Sequence, residues 1–239
     1  MISAPTDTFM ILRRGGNLPP LREAERMRNN LEYIGPFTME QRPGVFRLGS
    51  DSEALGGFAQ VKKKEKVLDL GCGGGVLGLY LLSREPSLQV TGIDLNPDAV
   101  ALANENFAAN ALDAKAVEGD MKNIRQLVPA GYFDLVISNP PYFAAGSGYS
   151  GGSARMEEEC SLDDVCAAAG WAVKNGGRFA IVHRPERLVD LFCALRQYDM
   201  EPKRMRFVQA RDLPPSAVLV EAYKQGKPGL VVYPPEIRE

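Results

Sequence analysis

The sequence predicts an α/β fold: a doubly wound, mostly parallel sheet of seven strands whose last strand is antiparallel. Three observations carry that prediction. From Lys66 onward, short runs rich in Val, Ile and Leu alternate with helical stretches through brief connections, the pattern of strand–helix–strand units that cover both faces of a parallel sheet. The first run, "KVLDL", opens directly into a glycine cluster and a helix, which sets a ligand-sized turn at the carboxyl end of a strand. The last two runs, "KRMRFVQA" and "SAVLVEAYK", have no helix between them and are expected to pair antiparallel.

Residues 1 to about 60 show little periodicity and are expected to form an N-terminal extension packed on a domain spanning 61–239. Within that extension, Leu21 to Leu31 suit a polar helix, and "SDSEALGGFA" suits an apolar one capped by Ser50 or Asp51. After "KVLDL" the stretch "VLGLYLLS" is helical. "LQVTGIDL" is the second strand, followed by the helix "PDAVALANENFAANA", where Pro97 suits a first turn that needs no N–H from it. "AKAVEGD" and "FDLVISN" are the third and fourth strands. "SLDDVCAAAGWAVK" is a helix leading to the strand "GRFAIVH", and "PERLVDLFCALRQY" is the last helix. Ala144 to Glu159 is rich in Gly and Ser and is expected to be a mobile loop.

Composition narrows the function classes. No apolar run among the 239 residues reaches the ~18 of a membrane span, and the N-terminus is too poor in apolar residues for a signal peptide. Cys72, Cys160, Cys166 and Cys193 lack paired or metal-ligand spacing, and His183 is the single histidine, so neither disulfides nor a metal site is expected. The expectation is a soluble, cytoplasmic monomer with no membrane or metal partner. A net charge of −2 argues against a protein that grips nucleic acid over its whole surface. Local basic patches remain at Lys62–Lys64 with Lys66, at Arg184 with Arg187, and at Lys203-Arg204 with Arg206. Each reads either as a phosphate-contacting face or as ordinary solvated charge.

Four motifs bear on chemistry. In "LDLGCGGGVLG", Asp69, Gly71, Gly73 and Gly75 have D-x-G-x-G-x-G spacing, suited to a tight turn and close backbone approach to a ligand. Gly73, Gly75 and Gly78 also fit the dinucleotide spacing, so this motif alone does not choose a cofactor. Asp94 ends the second strand, 23 residues after Gly71; it can accept from a ribose diol or cap a helix. Asp120 ends the third strand and can accept from an adenine amine or cap a helix. The fourth motif breaks the tie. Asn139-Pro140-Pro141-Tyr142 ends the fourth strand with two carbonyl acceptors and an aromatic face, a set suited to a planar molecule bearing an amino group. Two prolines hold that exit extended and fix where its carbonyls point.

These motifs, in this order, resemble the class I S-adenosylmethionine-dependent amino-methyltransferases, whose sheet is Rossmann-like. Three branches share NPPY: DNA adenine enzymes, glutamine-amide enzymes acting on release factors, and RNA adenine enzymes. "FRLGSDSEALGGFA", "SLDDV", "VHRPERLVDL", "VLVEAYKQGKPGL" and "VVYPP" are similar to the bacterial tRNA(Val) adenine-N6 methyltransferase family, from about residue 30 to the C-terminus. Two departures stand out: Cys72-Gly73-Gly74 where threonines are common, and Gly56-Gly57 where leucine or alanine is usual. The resemblance implies S-adenosylmethionine as cofactor and tRNA as partner. It implies Asn139, Pro140 and Tyr142 as the catalytic set. The implied cofactor contacts are Asp69, Gly71, Cys72, Gly73, Gly75, Asp94, Leu95, Asp120, Met121 and Asn139. Arg155, Arg184, Lys203 and Arg204 are the expected phosphate contacts. The alternatives are a glutamine methyltransferase, which usually carries a helical domain before its cofactor domain, and a binding module without catalysis.

Overall fold

The apolar runs become the strands of one large sheet in the computed structural model, which describes residues 31–45, 49–140 and 160–238. Ahead of that sheet the chain forms a hairpin, β1 (Leu31–Ile34) and β2 (Phe37–Glu40). The expected polar helix over Leu21 to Leu31 otherwise lies outside the described residues, and Leu31 itself opens β1. Helix α1 (Ser50–Phe58) follows. Then come β3 (Lys66–Leu70), α2 (Val76–Arg84), β4 (Gln89–Asp94), α3 (Pro97–Ala109) and β5 (Ala114–Glu118). A 3-10 turn at Met121–Asn123 and the short α4 (Ile124–Leu127) lead to β6 (Phe133–Ser138). The rest is α5 (Leu162–Ala172), β7 (Val173–His183), α6 (Leu188–Gln197), β8 (Met200–Ala210), β9 (Ala217–Lys224), β10 (Val231–Val232) and β11 (Glu236–Arg238).

The strand order is β5-β4-β3-β6-β7-β9-β8. The first five strands are mutually parallel, and β9 runs antiparallel between β7 and β8. These are the seven expected strands. Beyond them β10 and β11 both pair with β8 and extend the sheet to nine. Helices cover both faces. Leu68, Leu70, Val136, Phe179 and Val220 pack under α5 and α6, while Val67, Ile137, Val182 and Leu219 pack under α1 and α2.

The chain runs from β3 outward to β4 and β5, then returns to the other side of β3 as β6. A crevice therefore opens at the carboxyl ends of β3 and β6, the switch point where open α/β sheets hold ligands. The helix cap at α1 differs from expectation. Gly49 is the N-cap, and Ser50 and Asp51 lie inside the helix, where both bind the Arg238 guanidinium. The departure at Gly56 also has a physical reason: a Cβ there would sit 2.8 Å from the Tyr80 Cβ, so glycine lets α1 press directly on α2.

Candidate active site

The glycine turn after β3 is shaped by backbone sterics. Gly71, Gly73 and Gly75 have φ of 73°, 51° and 87°, left-handed values that L side chains adopt at a cost. Gly75 is doubly constrained, because a Cβ would lie 2.8 Å from the Phe107 ring. The turn is tied to β4: the amides of Gly71 and Cys72 donate to the Ile93 carbonyl at 2.8 and 3.1 Å. Cys72 fits over Gly92, where a Cβ would come within 2.6 Å of its sulfur, so thiol and glycine are a matched pair and the side chain is core.

Four strand ends then stand side by side, β5, β4, β3 and β6. Neighbouring strands lie roughly 4.8 Å apart, so they span about 14 Å, the reach of an extended nucleoside. Asp94 ends β4. Its Oδ2 accepts from the Gly73 amide at 2.8 Å and its Oδ1 from the Asn96 amide at 2.9 Å. Asp120 follows β5 and accepts from the Lys122 amide at 2.9 Å. Asp120 therefore caps the 3-10 turn, whereas the cap of α3 is Asn96 and Asp94 instead braces the glycine turn; each carboxylate oxygen keeps a second lone pair for a ligand. Leu95 is 56% exposed beside Asp94. Met121 borders the turn, its Cε 3.9 Å from where a Cβ on Gly71 would lie. On the other flank the Ser138 hydroxyl donates to the Leu70 carbonyl at 2.8 Å, locking the β6 exit to the glycine turn.

Asp69 lies beneath this edge, 1% exposed, with no well-formed hydrogen bond to either carboxylate oxygen and only a weak approach from the Gly78 amide. Burial, with the Asp94 charge added, pushes its carboxyl up to about 8. A carboxyl raised in this way ionises more readily beside a cation than beside an anion, so the turn favours a cationic ligand over the pyrophosphate of a nicotinamide dinucleotide. S-adenosylmethionine carries a sulfonium and an ammonium beside its adenosine, and the orphaned Asp69 with the Asp94–Asp120 pair suits that combination.

Asn139 and Pro140 stand at the β6 exit. The Asn139 Nδ2 donates to Ser52 Oγ at 2.9 Å, and Pro140 is buried. Tyr142, Arg155 and the loop expected over Ala144 to Glu159 lie outside the described residues. The chain's histidine offers no base here: burial and the Arg187 charge push His183 down to about 4.

The expected phosphate contacts do not converge. Arg184 follows β7 at the carboxyl edge, where its guanidinium donates to the Ser216 carbonyl. Lys203 lies in the other half of β8 and donates to the Lys227 carbonyl at 3.0 Å. Arg204 is engaged internally. It pairs at 3.0 Å with Glu221, which is fully buried, and lies 4.6 Å from the Phe58 ring centre and 5.1 Å from that of Tyr233. A buried carboxylate needs that cation, so Arg204 is not a phosphate ligand. Three residues here escaped the sequence reading: Ser52, Asn106 and Arg238. Asn106 is buried and joins the hairpin to the turn, its Nδ2 donating to the carbonyls of Glu40 at 3.1 Å and Gly74 at 2.9 Å. Its signal was two asparagines, Asn104 and Asn106, inside one helix with a third at its C-cap, a residue that helix interiors disfavour.

The profile of the methyltransferase small-domain family matches residues 36–192 of this chain. The chain belongs to that family. A tRNA1(Val) (adenine(37)-N6)-methyltransferase from a Flavobacteriaceae bacterium is 33% identical over 148 residues, 61% of this methyltransferase and 63% of the relative; several further relatives bear that name. A release factor glutamine methyltransferase from Deinococcus radiodurans is 32% identical, with 85% of each chain covered. Among solved structures, one described as a predicted O-methyltransferase from Agrobacterium tumefaciens aligns with a TM-score of 0.64 at 20% identity, over 78% of this chain and 86% of its own. That likeness concerns the fold of the methyltransferase alone. Among its described residues no helix is long and apolar enough to cross a membrane.

Proposed function

We propose that this methyltransferase moves a methyl group from S-adenosylmethionine to the N6 amine of an adenosine in tRNA, next to the anticodon of tRNA-Val. The observation that carries the reading is Asn139 at the switch point. Its Nδ2 donates to Ser52 Oγ, which leaves the carbonyl oxygen as the end available to accept from a substrate amine. The name shared by several relatives supports adenine in tRNA as the target.

S-adenosylmethionine, when bound, supplies a methyl carbon already activated by sulfonium. The protein's task is alignment. An adenine amine is a poor nucleophile because its lone pair is drawn into the ring. Asn139 Oδ1 and the Pro140 carbonyl would accept its two hydrogens and favour a pyramidal nitrogen with its lone pair free. Positive charge developing on that nitrogen then meets fixed dipoles. The methylated amine is acidic enough to give its proton to solvent, in keeping with a neutral, buried His183. Tyr142 would stack on the base once it leaves its own stack. Arg184, Arg187 and Arg211 at the carboxyl edge, with Arg155, are the residues proposed to face the RNA backbone. Lys203, half a strand away, is at most a peripheral contact. We further read the protein as a cytoplasmic monomer in which residues 1–60 extend a domain spanning 61–239.

The test is radiolabelled methyl transfer to total tRNA from cells lacking this protein, followed by nucleoside analysis; label in N6-methyladenosine is expected. The match to a release factor glutamine methyltransferase favours a second reading, since a glutamine amide also presents a planar NH2 group to the same acceptors. Label in release factor and none in tRNA would select it.

A further inference from the structure

We infer that Ser52 is a positioning residue for methyl transfer: it selects which end of the Asn139 amide faces the substrate. The inference rests on the reading of Asn139 given above. An asparagine side chain is nearly symmetric in shape, so a half-turn about its last torsion exchanges carbonyl and NH2 with little change in packing. Only the hydrogen-bond partner distinguishes the two states. With the carbonyl outward, Asn139 accepts from an amine; with NH2 outward, it opposes the amine with like dipoles.

Ser52 supplies that partner. It is 2% exposed, and its Oγ lies 2.9 Å from the Asn139 Nδ2, across 87 residues of sequence. A helical serine commonly turns its own proton back along the helix, which leaves its lone pairs outward as acceptors. The helix that carries it is fixed at both ends. At the first turn, Arg238 binds the Ser50 hydroxyl at 2.7 Å, the Asp51 carboxylate at 3.0 Å and the Ser50 carbonyl at 2.6 Å. At the last turn, Arg84 Nη1 binds the carbonyls of Gly56 and Ala59, and Arg204 approaches that of Phe58. A helix with two free ends would let Ser52 drift by fractions of an ångström. This one delivers a single acceptor to one place. Meanwhile Ser138 holds the other side of the crevice exit through Leu70, so Asn139 is fixed through backbone and side chain independently.

The experiment compares wild type, Ser52→Ala, Asn139→Ala and the double variant. Alanine is the strongest helix former, so α1 should persist in Ser52→Ala. We expect kcat for methyl transfer to tRNA to fall roughly tenfold to a hundredfold, with affinity for S-adenosylhomocysteine and melting temperature unchanged. In the Asn139→Ala background the same substitution should cost nothing further. Without any cofactor, the Asn139 side-chain NH2 resonances should show slow hydrogen exchange in wild type and fast exchange in Ser52→Ala. Wild-type turnover by Ser52→Ala overturns the inference, as does an equal further loss in the double variant or fast NH2 exchange in wild type. Full activity of Asn139→Ala overturns instead the catalytic reading on which the inference stands.

Discussion

At the scale of single residues, Asp69 has the most specific physical signature. A carboxyl held near 8 against an ordinary 3.8 is protonated in the folded protein and ionised in the unfolded chain between those values. Its contribution to stability is therefore complete below about pH 4 and is lost as pH rises towards 8. Asp69→Asn is permanently neutral, so it should gain stability relative to wild type between pH 5 and pH 8. Urea denaturation at both values measures this, and parallel pH dependences for the two proteins would rule it out. The same substitution should weaken S-adenosylhomocysteine binding, because asparagine cannot supply the negative charge proposed to meet the ligand's ammonium group. Asp69, Asp94, Asp120 and Asn139 were legible in the sequence because each lies within two residues of the end of a strand that periodicity marks. Ser52 was not, because its role depends on a partner 87 residues away that no local pattern announces.

At the scale of elements, α3 explains how two strand edges stay paired. Asn110 bonds both the N–H and C=O of Thr38, and Asn106 does the same for Glu40. The amides of one helix thus stand in for a strand beside β2. Asn104 repeats the device at the edge of the main sheet, binding both backbone groups of Ala116 in β5. Unpaired edges invite pairing with another chain, and here side chains complete them. Asn106→Leu would strip three backbone groups of their partners, one buried and two partly buried, and should lower stability by about 2–3 kcal/mol, measured by chemical denaturation. Asn104→Leu should cost less stability yet promote association during refolding, which light scattering would detect; clear refolding at high concentration would refute the edge argument. Strands and helices of the main sheet were readable from their periods. The hairpin was not, because four-residue strands carry little pattern and their outer partners lie 66 and 72 residues downstream.

At the scale of the whole molecule, alternation of strands and helices was enough to give the parallel order and the antiparallel β9. It could not give β10 and β11, of two and three residues, which Pro234 and Pro235 separate. Nor could it show that Arg204 faces Glu221 across β8 and β9; the Lys203–Arg206 run looked like surface until register put alternate residues inside. Arg238 joins β11 to α1, and Arg238→Ala should lower stability by about 1–2 kcal/mol, given its partial exposure. Amide hydrogen exchange in the first turn of α1 should quicken while the sheet is unaffected; equal quickening in both would mean a global effect. That contact also sets a clock. Ser50 and Arg238 are 188 residues apart, and a ribosome adding ~5–20 residues per second takes about 10–40 s to travel between them. Within that interval the nascent chain completes its cofactor turn and then its Asn139 exit, while α1 lacks the anchor at its first turn until the interval ends. Methyl transfer should therefore switch on late in synthesis, and a prematurely terminated product is expected to bind the cofactor without transferring its methyl group.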